Sequence, residues 1–111
     1  MEVTPMGKYL LKVSYTLDGV RGVLAEGGSA RRSVAEAAAK AAGGSVEEFY
    51  FAFGGTDVFV IADLPDNAAA ASLALTVTAG GGATVETVVL LEAAEIDEAV
   101  AKKILYRPPG A

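Results

Sequence analysis

The stretch Glu47–Asp63, EEFYFAFGGTDVFVIAD, decides the fold because it contains two strand patterns separated by a turn. In the first strand the phenylalanines alternate with other residues and share one face: Phe49, Phe51 and Phe53. Tyr50 lies on the opposite face, as the period of two requires. Gly54-Gly55 predicts a hairpin turn, and residues 57–63 form the returning strand.

Helical patterns flank this hairpin on both sides. Residues 20–42 carry apolar side chains at helical spacing, which predicts an amphipathic helix. Gly27-Gly28 interrupts it and predicts a kink, or a restart with Ser29 as the N-cap. Pro65-Asp66-Asn67 is a start signal for a second, alanine-rich helix that ends near Thr78.

Two further strands and a short helix complete the pattern. Lys8–Tyr15 alternates, Thr84–Leu91 is rich in β-branched residues, and residues 92–104 form an amphipathic helix. The order β-α-β-β-α-β predicts an α+β, ferredoxin-like fold. We expect a four-stranded antiparallel sheet with two helices on one face, plus a C-terminal helix. The 111 residues form one domain, with a core over about 7–103 and a tail over 104–111.

The second face of this sheet is expected to carry apolar groups as well. Leu10, Val88 and Leu90, or their alternates, leave apolar side chains on both faces of the first and last strands. A partly apolar bare face predicts a partner, and a homodimer that packs sheet to sheet is the simplest one.

Composition excludes several classes of function. The chain has no Cys and no His, which excludes disulfides, thiolate catalysis, zinc fingers and imidazole ligands. A formal charge of −5 argues against nucleic acid as a ligand. The uncharged window 67–85 is read as a helix, a glycine turn and a strand, so we expect no membrane partner. No signal-peptide pattern opens the chain, so the expected location is cytoplasmic.

The charges divide along the chain. Residues 41–101 contain ten acids and no Lys or Arg, whereas the basic residues lie before and after that stretch. A ferredoxin-like sheet makes the first and third strands neighbours, so unlike charges meet within the fold or its dimer. The division therefore indicates internal or subunit electrostatics.

Four blocks of sequence together resemble the GYD-domain family. They are Tyr9–Thr16, Glu26–Arg32, Phe49–Gly54 and Asp57–Asp66, within a resemblance that spans roughly residues 7–103. The resemblance implies a small dimeric α+β barrel protein of bacterial type whose biochemical role is uncharacterised. Gly55-Thr56-Asp57 stands where the family has Gly-Tyr-Asp, so a role of that tyrosine is absent here or taken by another residue.

Arg31 is the most unusual residue because it falls within the apolar stripe of the first helix. Three interpretations are open. Its stem packs while its head reaches solvent; or it pairs with an acid from residues 41–101; or it clamps an anionic ligand between helix and sheet, for which its five donors are suited.

Four more residues are candidates for ligand binding. Asp57 follows the glycine turn and is read mainly as a turn residue. Tyr50 is expected on the sheet face that meets a partner, with Lys12 beside it, where a pair of this kind serves interface hydrogen bonding or acid–base chemistry. Tyr15, at a strand end, is a further hydroxyl donor.

Two main functions follow, and neither requires a cofactor. The glycine pairs do not fit a phosphate-binding or dinucleotide-binding motif, and the acidic clusters lack metal-loop spacing, so we expect no cofactor and no metal site. The first function is a homo-oligomeric module that binds a small acidic or aromatic molecule or serves assembly. The alternative is a cofactor-independent isomerase, oxygenase or decarboxylase acting on a small aromatic or carboxylate substrate, which rests on fold analogy.

Overall fold

A computed structural model describes residues 6–52 and 54–111 of the chain. The strands are β1 (Gly7–Tyr15), β2 (Ser45–Phe51), β3 (Val58–Leu64) and β4 (Ala83–Leu90). The helices are α1 (Leu17–Glu26), α2 (Gly28–Ala41), α3 (Asn67–Ala79) and α4 (Ala93–Ala101). None of the helices within the described ranges is long and apolar enough to span a bilayer.

The four strands form one antiparallel sheet in the order β2-β3-β1-β4. The first and third strands are neighbours at its centre, as the ferredoxin-like pattern requires. The predicted α+β fold is therefore confirmed. Asp66 caps α3 as predicted, because its side chain accepts a hydrogen bond of 2.8 Å from the backbone N–H of Ala69.

One face of the sheet forms the core with α2 and α3. Its buried side chains come from alternate positions of the two central strands: Tyr9 and Leu11 of β1, and Val58, Val60, Ala62 and Leu64 of β3. Ala39 of α2 and Ala70 of α3 are buried above this layer. The hydroxyl of buried Tyr9 donates a 2.6 Å hydrogen bond to the Asn67 side chain, which satisfies its polar atom.

Among the described residues, no helix covers the opposite face of the sheet, here called the open face. The register places Ile61, Leu10 and Val88 side by side in one row across β3, β1 and β4. The next row crosses all four strands, in the order Tyr50 of β2, Phe59 of β3, Lys12 of β1 and Glu86 of β4. The apolar groups expected on this face are therefore present, with charged residues among them.

The predicted helix over residues 20–42 is two helices. Thr16 caps α1 with its side chain, so this helix begins three residues before the predicted start. The break falls at Gly27, whose φ of 83° lies in a region that glycine adopts at little cost. Ser29 as the N-cap was wrong, because Gly27 takes the cap position and Ser29 lies inside the first turn of α2.

The hairpin connection is longer than a two-residue turn at Gly54-Gly55. β2 ends at Phe51 and β3 begins at Val58, so the loop covers residues 52–57. The backbone N–H of Ala52 donates to the Asp57 carbonyl across the hairpin, and the N–H of Asp57 donates to the Val13 carbonyl in β1, so Asp57 is held between its two neighbouring strands. The prediction for Phe53 lies outside the described residues.

The C-terminal helix is shorter than predicted and does not pack on the sheet. α4 ends at Ala101, and every residue from 91 to 111 is exposed. We call residues 91–111 the C-terminal arm. The radius of gyration is 17.2 Å, against about 13 Å for a compact chain of this size, because the arm projects from the body.

Lys8 links three strands on the open face. Its ammonium contacts Glu47 of β2 and lies 3.0 Å from the carboxylate of Asp63 in β3. Lys12 lies 3.6 Å from Glu86 of β4. The lysines of β1 thus meet acids of residues 41–101, so the expected meeting of unlike charges within the fold is found.

We predict that the Lys8 network stabilises the protein only below strongly alkaline pH. Hydrogen bonds to Glu47 and then to Asp63 raise the pKa of Lys8 above its ordinary value of 10.5. A lysine whose pKa is raised by folding increases the free energy of unfolding. This stabilisation is complete below the pKa of the unfolded state, and it is lost as the pH rises through the pKa of the folded state. In urea titrations, wild type should therefore exceed Lys8→Met in stability at neutral pH, and the difference should shrink above about pH 10.5.

Lys40→Met is the control for this comparison, because Lys40 is exposed on α2 and forms no ion pair among the described residues. The difference in free energy of unfolding between wild type and Lys40→Met should not show the same decrease at alkaline pH. A Lys8→Met difference that is zero at neutral pH, or that grows above pH 10.5, would contradict the network.

Candidate functional site

A cleft of about 510 Å³ opens at the end of the sheet where β1 leads into α1 and the α3–β4 turn enters β4. It contains Arg31 and Tyr15, two of the residues singled out from the sequence. Its other lining residues are two acids, five glycines, and a set of small or apolar side chains: Asp18, Glu26, Gly19, Gly22, Gly80, Gly81, Gly82, Val34, Thr76, Val77 and Ala83. We call this the Arg31 cleft, and its volume suits a small organic molecule.

One wall of the cleft is fixed by a close crossing of two backbones. The Thr16 backbone N–H donates a 3.0 Å hydrogen bond to the Gly82 carbonyl, and its hydroxyl donates one of 2.8 Å to the Gly81 carbonyl. A Cβ atom at Gly19 would overlap the Gly82 carbonyl oxygen. The start of α1 can therefore lie on the α3–β4 turn only if residue 19 has no side chain.

Arg31 reaches the cleft from the first turn of α2. Its guanidinium lies 3.4 Å from the carboxylate of Glu26 at the end of α1, and about a third of its side chain is exposed (32%). The ion pair considered from the sequence is present, but its acid is Glu26, which precedes the expected stretch 41–101. This single contact leaves most of the five guanidinium donors available to a ligand.

Tyr15 lies between the Arg31 cleft and a second depression. This depression, here called the apolar groove, has a volume of about 380 Å³ and is lined by Tyr15, Val20, Val23, Leu24, Gly28, Phe51, Ala52 and Asp57. Asp57 accepts a 2.8 Å hydrogen bond from the Tyr15 backbone N–H. Its carboxylate thus holds the end of β1 against the hairpin loop, which is the role of a turn aspartate.

Lys12 and Tyr50 lie elsewhere, on the open face. They share a row of the sheet, but Phe59 of β3 stands between them, so their backbones are about 10 Å apart. Tyr50 is 64% exposed at the edge strand. Of the five candidates, Tyr15 and Arg31 line the Arg31 cleft, Asp57 lines the apolar groove, and the remaining two lie on the open face.

Sequence reasoning missed two parts of the cleft. Glu26 lies five residues before Arg31, a spacing that pairs side chains only because the helix breaks at Gly27. Gly80–Gly82 was interpreted only as a turn after a helix, yet it forms a cleft wall. A signal for that wall was Gly19 at the start of α1, since two backbones that cross closely both need small residues.

A larger depression of about 720 Å³ lies beside Lys8, Asp63 and Asn67, but none of the five candidate residues lines it. The cavity between α2, α3 and the sheet measures about 70 Å³ and is lined by apolar side chains. Within residues 6–52 and 54–111, no group of three or more acidic side chains converges as a metal site would require.

Comparison with known proteins identifies one family. A family model described as the GYD domain matches residues 9–100. Comparisons with curated proteins and with solved structures gave no match.

We predict opposite effects of alanine at two glycines of α1. Gly19→Ala should lower the free energy of unfolding by about 1–3 kcal/mol, because the new Cβ must displace the Gly82 carbonyl. Gly22→Ala should raise it by about 0.5–1 kcal/mol, because nothing lies within 4 Å and alanine is the better helix former. Chemical denaturation of the two variants measures both, and equal effects would contradict the crossing.

Proposed function

The chain belongs to the GYD-domain family, and we propose that it is a homodimeric binding protein for a small carboxylate with an apolar body. The observation that carries the proposal is that Arg31 and Tyr15, from different elements, line one cleft. The cytoplasmic location expected from the sequence goes with this proposal as a prediction.

The chemistry of the Arg31 cleft supports a ligand with one anionic end. The Arg31 guanidinium offers several donors in one plane, which suits a carboxylate. Val34, Val77 and Ala83 offer an apolar surface to the rest of the molecule. Asp18 and Glu26 make the rim acidic, so ligands with several negative charges are disfavoured relative to a monocarboxylate.

The open face supports the dimer. Its apolar residues Leu10, Ile61 and Val88 are only half-buried in a single chain. Burial of such a row against a second copy removes apolar area from water at about 25 cal/mol per Å². The face carries both signs of charge, through Lys12 with Glu86 and through the Lys8 network, which permits the self-complementary contact that two-fold symmetry demands.

We predict that benzoate binds in the Arg31 cleft and that benzamide, its neutral analogue, does not. With ¹⁵N-glycine labelling, benzoate should shift the amide signals of the cleft glycines, Gly19, Gly22 and Gly80–Gly82. Arg31→Gln should weaken this binding about tenfold, because one charge-assisted hydrogen-bonded contact is worth about 1.5–3 kcal/mol before solvent screening reduces it.

Arg32→Gln is the matched control, since Arg32 pairs outward with Glu36 at 3.2 Å and should leave the affinity unchanged. Benzoate shifts outside the cleft glycines, or equal losses for the two arginine variants, would overturn the ligand site.

We also predict that a charge at the centre of the open face dissociates the dimer. Ile61→Lys places an unpaired ammonium in the proposed contact, which costs about 3–5 kcal/mol and raises the dissociation constant by two orders of magnitude or more. Leu75→Lys is the control, because Leu75 is 71% exposed on α3. Sedimentation should give monomers for the first variant and dimers for the second. A dimer that tolerates Ile61→Lys would exclude the open face as its contact.

A further inference from the structure

The C-terminal arm is an apolar segment that the rest of the described chain leaves exposed. Leu105 is fully exposed, Ile104 is 84% exposed and Val100 is 67% exposed. Ile96 and Val100 lie four residues apart and share one face of α4, and Ile104 follows beyond its end. α4 makes no extensive contact with any other helix or strand. An apolar stripe of this kind on a projecting arm indicates a docking segment.

The apolar groove beside α1 has the complementary character. Val20, Leu24 and Phe51 line it and are themselves exposed, Leu24 to 82%. The Phe51 ring packs closely against Gly28, where a Cβ would lie 3.0 Å from it. The groove volume of about 380 Å³ accommodates an apolar side chain from outside the chain, between α1 and the end of β2.

Charge favours the same pairing. Past Glu98 the arm carries three basic residues and no acid: Lys102, Lys103 and Arg107. The groove is lined by Asp57, and Glu26 ends the helix that forms its wall. The basic residues on both sides of Leu105 would thus meet acidic neighbours, while its apolar side chain enters the groove.

We infer that the C-terminal arm of one protomer seats Leu105 in the apolar groove of a second copy of this chain. This inference rests on the homodimer proposed above. The nine residues of α4 span about 14 Å, and residues 102–105 add about 3.3 Å each when extended, so the arm is about as long as an eight-residue strand. In the single chain the arm leaves at the opposite end of the sheet from the groove.

This mutual seating of arms, here called the exchange, would place a segment of the partner beside the Arg31 cleft. Tyr15 lines both the apolar groove and the Arg31 cleft. An arm seated in the groove therefore contacts a residue of the cleft, and each site in the dimer includes a segment from both chains.

Cysteine cross-linking tests the exchange directly, because the natural chain has no Cys. Leu24→Cys and a size-tagged Leu105→Cys are co-expressed and treated with a short bismaleimide. A mixed product, with one tagged and one untagged chain, can form only by a cross-link between two different chains. Both sites are exposed, so neither variant threatens folding. We expect the mixed product to exceed that from the control pair Leu75→Cys with Leu105→Cys, which places one thiol on the outer side of α3.

The outcomes separate the exchange from the dimer itself. A dominant intramolecular product in the double variant Leu24→Cys/Leu105→Cys would mean that the arm closes on its own groove, which overturns the exchange. A yield no higher than that of the control pair, in a protein that sediments as a dimer, overturns the exchange and leaves the open-face dimer standing. A wild-type monomer overturns both.

Discussion

The register between β1 and β3 is the constraint on which the rest of the structure depends. Leu11 lies opposite Val60, and this single pairing assigns every residue of the two central strands to a face. A slip of one residue would move the whole apolar set to the other side. With this register, Tyr9 and Ala62 are buried under the helices, while the lysines of β1 reach acids on the open face.

The parts of the fold that depend on local periodicity were predictable from the sequence. The strand order follows from one hairpin between two helical crossovers. Asp66 indicates the start of α3 because its side chain can cap a helix. The break in the first crossover was visible as Gly27-Gly28, but its geometry depends on the positive φ of Gly27. The end of the hairpin loop is held to β1 by a long-range bond from Asp57 to Val13, which no local pattern contains.

The candidate site was less predictable because it is made by tertiary contacts. Arg31 stood out since it broke an apolar stripe, and Tyr15 stood out only as a hydroxyl at a strand end. Their common cleft arises because α1 lies on the α3–β4 turn, where Gly19 allows two backbones to touch. Tyr50 and Lys12 were placed on the correct face by alternation, yet Phe59 separates them, since period-two reasoning gives the face and not the neighbour.

Both proposals require that the open face meets a second copy, so the subunit count of the unmodified protein tests the account most directly. Native mass spectrometry of the wild-type chain at micromolar concentration measures that count and detects a retained small ligand in the same spectrum. The wild-type chain should give a species of twice the chain mass, with or without the ligand. A monomer under these conditions would contradict it, because the row formed by Leu10, Ile61 and Val88 would then lie open to solvent.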